Sequence, residues 1–220
     1  MIASAGLLPG WALWLSSVLA ALILMPALFS YHWQSLRRHR IAQHLFLGGV
    51  VVLSLLWSLQ AGILPGLSFH VLGITAATLM MGWRLALLAM LLVHCVLVIM
   101  GKLWWGALGY SYLLSGVLPV LFSYGFYLLV YNRLRHNPFV YILVAGFINA
   151  GFTHAFSDLL QGAGLWLLGV HSPDSIWHDY LRYLPMMMFP EGVVNGMFIT
   201  GMVVFHSRWM STFDEDSYFN

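Results

Sequence analysis

Apolar stretches of near-spanning length follow one another along this chain with almost no charge inside them. The runs fall near 11–31, 44–64, 69–82, 84–101, 107–131, 138–170 and 181–206. A helix that crosses a bilayer needs about 20 predominantly apolar residues. Charged residues make up 7% of the 220 positions, against roughly 25% in soluble domains. Strands of an outer-membrane barrel alternate apolar and polar residues, whereas these runs are apolar on every face. The sequence therefore predicts an all-α integral membrane protein of about seven transmembrane helices. It reads as a single polytopic domain over 1–220, in contact with bilayer lipid. The third run is short, opens after "LPG" and carries "GITAAT". Its small residues permit close contact, so it is expected as a helix buried among its neighbours. The sixth run is long, and "QGAGLWLLG" is expected to break it near Gly162 to Gly164.

Orientation follows from the basic residues. With the N-terminus outside, the inner side receives Arg37, Arg38, Arg40, Arg84, Arg133, Arg135 and Arg208, and the outer side only Lys102 and Arg182. Positive charge concentrates on the cytoplasmic side, so the C-terminus is expected there, with 207–220 as a short acidic tail. The first apolar run has no basic region before it, so the mature chain is expected to begin at or next to Met1. A net charge of +2 gives no reason to expect a nucleic-acid partner. Cys95 is the sole cysteine, which excludes an intramolecular disulfide and a CxxC metal knuckle.

The informative residues are polar groups at membrane depth, where each carries a cost of a few kcal/mol or more. Of the ten histidines, His32, His39, His44 and His136 lie at helix ends, His171 and His178 in an outer loop, and His206 near the last inner boundary. His70, His94 and His154 remain at depth, with Asp158, Glu191 and Asn195. His154 and Asp158 are four residues apart and share a helix face. A carboxylate on one ring nitrogen is the usual support of a metal-ligating histidine, and equally a structural hydrogen bond. Glu191 and Asn195 in "FPEGVVNGM" are one turn apart, after a proline that can start or kink a helix. His94 reads either as a ligand or as a neutral histidine bonded to a nearby carbonyl. His70 opens the short helix, where a protonated ring is disfavoured and the neutral, metal-binding form is favoured. Met80, Met81, Met100 and Met186 to Met188 offer soft ligands, but methionine in an apolar chain more simply fills the core.

Several segments, in order, resemble the CbiM/NikM family, the substrate-binding membrane components of energy-coupling-factor transporters for cobalt and nickel. They are "MIASAGLLPGW", with Gly6, Leu8 and Pro9; "LSFHVLGITAATLMMG"; "MGKLWWGALGYSYLLSGVLPV"; "AFSDLL"; and "FPEGVVNGM". The resemblance implies seven spans with an outside N-terminus in a bacterial inner membrane. It also implies a metal site near the outer face, built from the N-terminal amine and backbone amides of Met1 and Ile2 together with histidine nitrogens. His70 matches the family's ligand histidine. The family places a histidine at position two, and here that position is Ile2, which offers a backbone amide but no imidazole. His94 or His154 then stands as the source of the missing nitrogen.

The substrate implied is a transition-metal ion, nickel or cobalt first, with copper or zinc as alternatives. No GxxxxGK[ST] pattern is present. ATP would have to be used by separate partners, a transmembrane coupling subunit and cytoplasmic ATPases. The helix at 69–82 and the "GFINAG" face at 146–151 are candidate docking surfaces or internal packing. Asp158, Glu191 and Asn195 are expected to support the site or the fold around it. Two other classes compete. One is a haem-binding electron-transfer protein with His94 and His154 as axial ligands. The other is an intramembrane metalloenzyme using His70, His94, His154 and Asp158, for which no HExxH motif speaks. The expectation is a transport component and not an enzyme.

Overall fold

The structure, a computed structural model, describes residues 6–29 and 40–218. Met1, Ile2, His32, Arg37, Arg38 and His39 lie outside the described residues. Helix α1 covers Gly10–Phe29 and α2 covers Arg40–Ser58. A two-stranded antiparallel hairpin follows, β1 at Ala61–Leu64 and β2 at Leu67–Phe69, with Ala61 opposite Phe69. Then come α3 at Ile74–Ile99, α4 at Trp105–Arg133 and α5 at Pro138–Leu167. The short helix α6 spans Pro173–Asp179, α7 spans Leu184–His206, and α8 in the tail spans Glu215–Tyr218. Both α4 and α5 contain a π-helical stretch, at Tyr112–Val117 and Tyr141–Ile148.

Six of these helical stretches are long and apolar enough to cross a membrane, against seven apolar runs in the sequence. Gly82 reconciles the two counts. Its φ of 77° and ψ of 159° interrupt α3, a left-handed conformation that glycine adopts without a Cβ penalty. A straight helix from Ile74 to His94 would hold its ends about 30 Å apart. Instead the indole nitrogen of Trp57 donates to the Leu72 carbonyl at 2.9 Å, while the Trp57 ring meets the His94 ring with centroids 5.2 Å apart. The chain therefore reverses at Gly82 into two arms, α3a (74–81) and α3b (83–99). The third and fourth runs are these arms. As expected, α3a is buried: Ile74, Thr75, Ala77, Thr78, Leu79, Met80 and Met81 all lie in the interior.

Three sequence expectations need correction. The third run, expected as a helix that His70 opens, is helical only from Ile74; Phe69 ends β2, and His70 lies in the non-helical stretch between them. The second run, expected to reach residue 64 as a helix, stops at Ser58, and 61–69 form the hairpin turning at Pro65 and Gly66. The sixth run does not break near Gly162 to Gly164, because α5 continues to Leu167. The glycines there serve close packing: a Cβ on Gly164 would sit 2.4 Å from the Tyr110 hydroxyl, and one on Gly162 would be 3.1 Å from Ile176. The "GFINAG" face is internal packing, since Gly146 and Gly151 lie against Ile199 and Met188 of α7. By contrast α1 and α2 turn large apolar side chains outward, as with Trp14 and Leu55 at 76% and 59% exposure.

The bundle has two distinct ends. The hairpin end holds β1 and β2, the α3–α4 turn and α6; His171 Nε2 there lies 2.7 Å from the Pro65 carbonyl oxygen. The tail end holds Gly82 and the C-terminal segment: Ser211 N–H donates to the Met80 carbonyl, and the Thr212 hydroxyl to the Leu79 carbonyl. The Tyr127 hydroxyl donates to the Thr212 carbonyl, and Tyr141 shares a hydrogen bond with the Thr212 hydroxyl.

Candidate metal centre

The first N–H groups of a helix have no acceptor within it. At the start of α3a, the backbone N–H of Leu72 donates to Glu191 Oε2 at 2.7 Å and that of Gly73 to Oε1 at 2.8 Å. The N–H of Ala76 donates to Asn195 Oδ1 at 2.9 Å. Asn195 Nδ2 donates back to Glu191, at 2.8 Å to Oε1 and 2.8 Å to the carbonyl. Glu191 and Asn195 thus form an N-terminal cap delivered from a different helix, α7. An anion at this end is favoured by the helix dipole and by charge-assisted hydrogen bonds. Glu191 is buried among apolar neighbours because these donors offset its burial.

His154 of α5 lies between two carboxylates. Its Nε2 is 3.3 Å from Asp158 Oδ2 and its Nδ1 is 3.5 Å from Glu191 Oε2. The other oxygen of Asp158 accepts from the Tyr180 hydroxyl at 2.8 Å. Tyr180, Asp158, His154, Glu191 and the start of α3a thus follow one another in the interior: the links at either end are hydrogen bonds, and His154 faces both carboxylates at ion-pair distance without hydrogen-bond geometry.

His70 stands two residues before Leu72, after β2 and outside the spanning helices. It is buried, and among the described residues neither ring nitrogen has a side-chain hydrogen-bond partner. Burial, before any other cause, pushes its pKa down to about 3, which leaves the ring neutral and able to bind a metal. Its ring meets the edge of Trp57 with centroids 4.6 Å apart. His94 lies against the same indole; its Nδ1 is 2.7 Å from the Met90 carbonyl oxygen, and its Nε2 has no side-chain partner among the described residues.

The structure thus gathers Asp158, His154, Glu191 and Asn195 into one network and sets His70 and His94 against one tryptophan. Among the described residues, no three His, Cys, Asp or Glu side chains converge as metal ligands would. Met80 and Met81 belong to the core while Met186 is exposed, so they share no site. His94 and His154 lose their claim as axial haem ligands, because both nitrogens of His154 face carboxylates. Two residues were missed in the sequence. Trp57 is fully buried and pins both Leu72 and His70, a role nothing in its own run announces. Tyr180 had one signal: in "SIWHDY", Ile176 and Tyr180 are four apart, and both point inward while Trp177, His178 and Asp179 are exposed.

Residues 3–209 match the CbiM family, described as the cobalt uptake substrate-specific transmembrane region. The chain belongs to the CbiM family. Two solved structures share the fold. One is of a truncated transition metal transporter, with TM-score 0.74 and 15% identity, covering 94% of this chain and all of that one. The other is of a transition metal transporter, with TM-score 0.67 and 17% identity, covering 94% and 92%. Among curated proteins none matches the sequence. Membership in CbiM makes this chain a multi-pass membrane protein of a transport family rather than an enzyme.

Proposed function

We propose that this CbiM-family chain binds a divalent transition-metal cation, cobalt or nickel, as the membrane component of an uptake system. The observation that carries the reading is His70: a buried, neutral imidazole without a side-chain partner for either nitrogen among the described residues, beside the capped start of α3a. Buried polar atoms almost always have partners, so a ring left without one among these residues suits a ligand that arrives from outside the bundle. His70 is the first protein ligand in this reading. The amine of Met1 and the amide of Ile2, brought over from the family resemblance, complete a nitrogen set of the kind that suits Ni(II). His94 Nε2 is the candidate for the imidazole that Ile2 does not supply. His154 is a support, held between Asp158 and Glu191, which together with Asn195 fix the backbone that carries His70.

The hairpin end is the outer face in this reading. Arg40, Arg84, Arg133, Arg135 and Arg208 gather at the tail end, against Lys102 and Arg182 at the hairpin end, as the distribution of positive charge predicts for a cytoplasmic tail. ATP hydrolysis falls to separate partner subunits, because the chain carries no nucleotide-binding motif.

Elemental analysis of detergent-purified protein, grown with trace Ni, Co, Cu, Zn and Fe, tests the reading. A stoichiometric cobalt or nickel signal is expected, and His70→Ala should weaken that ion's binding at least about tenfold. Copper or zinc in its place would retain the scaffold and change the substrate. Unchanged affinity in His70→Ala would overturn the site.

A further inference from the structure

The segment between α5 and α7 is more than a surface connection. Its Ile176 packs on Gly162, where an added Cβ would lie 3.1 Å away. One turn later Tyr180 is fully buried, although it belongs to a segment whose neighbouring side chains are exposed. Tyr180 makes two contacts of different kinds. Its ring stacks on Phe69, with centroids 4.6 Å apart and planes 11° from parallel, and Phe69 is the residue immediately before His70. Its hydroxyl donates to Asp158 Oδ1 at 2.8 Å, which leaves Oδ2 to face His154 at 3.3 Å. His154 faces Glu191, and Glu191 holds the N–H groups of Leu72 and Gly73. The backbone on both sides of His70 is therefore reached from this one side chain. Phe69 is held directly, and Leu72 is held through Asp158, His154 and Glu191.

We propose that Tyr180 is a positioning residue for the ion site: through Phe69 and through the Asp158–His154–Glu191 chain, it sets the placement of the His70 ring. The inference rests on the reading of His70 as a ligand. Physically, the phenol satisfies one oxygen of a carboxylate that lies in an apolar interior, where an unmet acceptor is costly. Without it, Asp158 must recruit another donor. The nearest is the His154 ring, and drawing that ring away from Glu191 loosens the clamp on Leu72 and Gly73. Supports of this kind around metal ligands are worth about 10- to 100-fold in affinity.

The test titrates Co(II) into the full-length, detergent-purified chain and records both affinity and the visible Co(II) absorption bands, which report ligand geometry. Tyr180→Phe keeps the stack and deletes the hydroxyl. It is expected to lower affinity about tenfold, to shift the bands, and to lower the thermal midpoint by only the few degrees that one lost buried hydrogen bond accounts for. Asp158→Asn should reproduce the shift, and the double variant should add little to either. Phe69→Leu, which breaks the stack alone, should weaken binding while the hydroxyl contact persists. Should Tyr180→Phe fail to fold, Asp158→Asn and Phe69→Leu carry the same decision. Wild-type affinity and unchanged bands in those variants, with binding lost in His70→Ala, would overturn the role of Tyr180 and leave the ion site standing. Normal binding in His70→Ala would overturn both.

Discussion

The two ends of α3a are closed by opposite chemistry. At the start, backbone N–H groups donate to a carboxylate and an amide oxygen from α7. At the finish, the carbonyls of Leu79 and Met80 accept from a hydroxyl and a backbone N–H of the tail. The first closure uses a carboxylate whose burial is tolerated only while its donors stay in place. The second uses neutral groups, which lose little when they part. The rigid closure thus lies beside His70, the ligand of the proposed site, and the more adaptable one beside Gly82 and the tail. A helix of eight residues can serve both purposes because each end is capped by a different part of the chain.

The largest expected effect tests the rigid end. Glu191→Gln replaces one acceptor oxygen with an amide that opposes a backbone N–H and deprives His154 of a carboxylate. It should cost about 3 kcal/mol of stability, read as a lowered unfolding midpoint in detergent and poorer yield. Its effect on folding should exceed its effect on intrinsic ion affinity. Well-folded Glu191→Gln protein that binds no ion would instead make Glu191 part of the ion's own coordination. Next in size, Asn195→Leu leaves the Ala76 N–H unmet and should cost about 2 kcal/mol. Gly82→Ala forces a Cβ into a left-handed conformation and should cost about 1 to 2 kcal/mol, without weakening ion binding. At the adaptable end, Thr212→Val removes only the hydroxyl shared with Leu79 and Tyr141. It should cost about 1 kcal/mol by the same measurement. A Thr212→Val loss as large as that of Glu191→Gln would erase the contrast between the two ends.

Much of the architecture was legible because lipid imposes a length and a polarity that few side chains can evade. The short third run was readable as buried from "GITAAT". His154 with Asp158, and Glu191 with Asn195, were readable as pairs because four residues make one helical turn. What each pair faces across the bundle was not readable. Glu191 finds its donors 118 and 119 residues away in sequence, and no local pattern encodes that. The hairpin escaped notice because Ala61 to Phe69 are as apolar as the helices around them, and only the Pro65–Gly66 turn marks the change. The glycines at 162 and 164 misled for a related reason. Glycine ends helices in water, but within a packed bundle it also lets a neighbour approach, and Tyr110 and Ile176 fill that space.

The reversal at Gly82 bears on how the chain enters the membrane in the first place. As a bare string of apolar residues, Ile74–Ile99 is 26 residues long, enough for the insertion machinery to thread as a single crossing. Taken that way, every later segment would be laid in upside down. Arg84, two residues beyond the glycine, is the charge that resists this outcome. Placed with the other arginines at the tail end, it favours a chain that doubles back there over one that crosses straight through. In the proposed orientation, the direction of every later segment then turns on a corner of three residues, Gly82, Trp83 and Arg84.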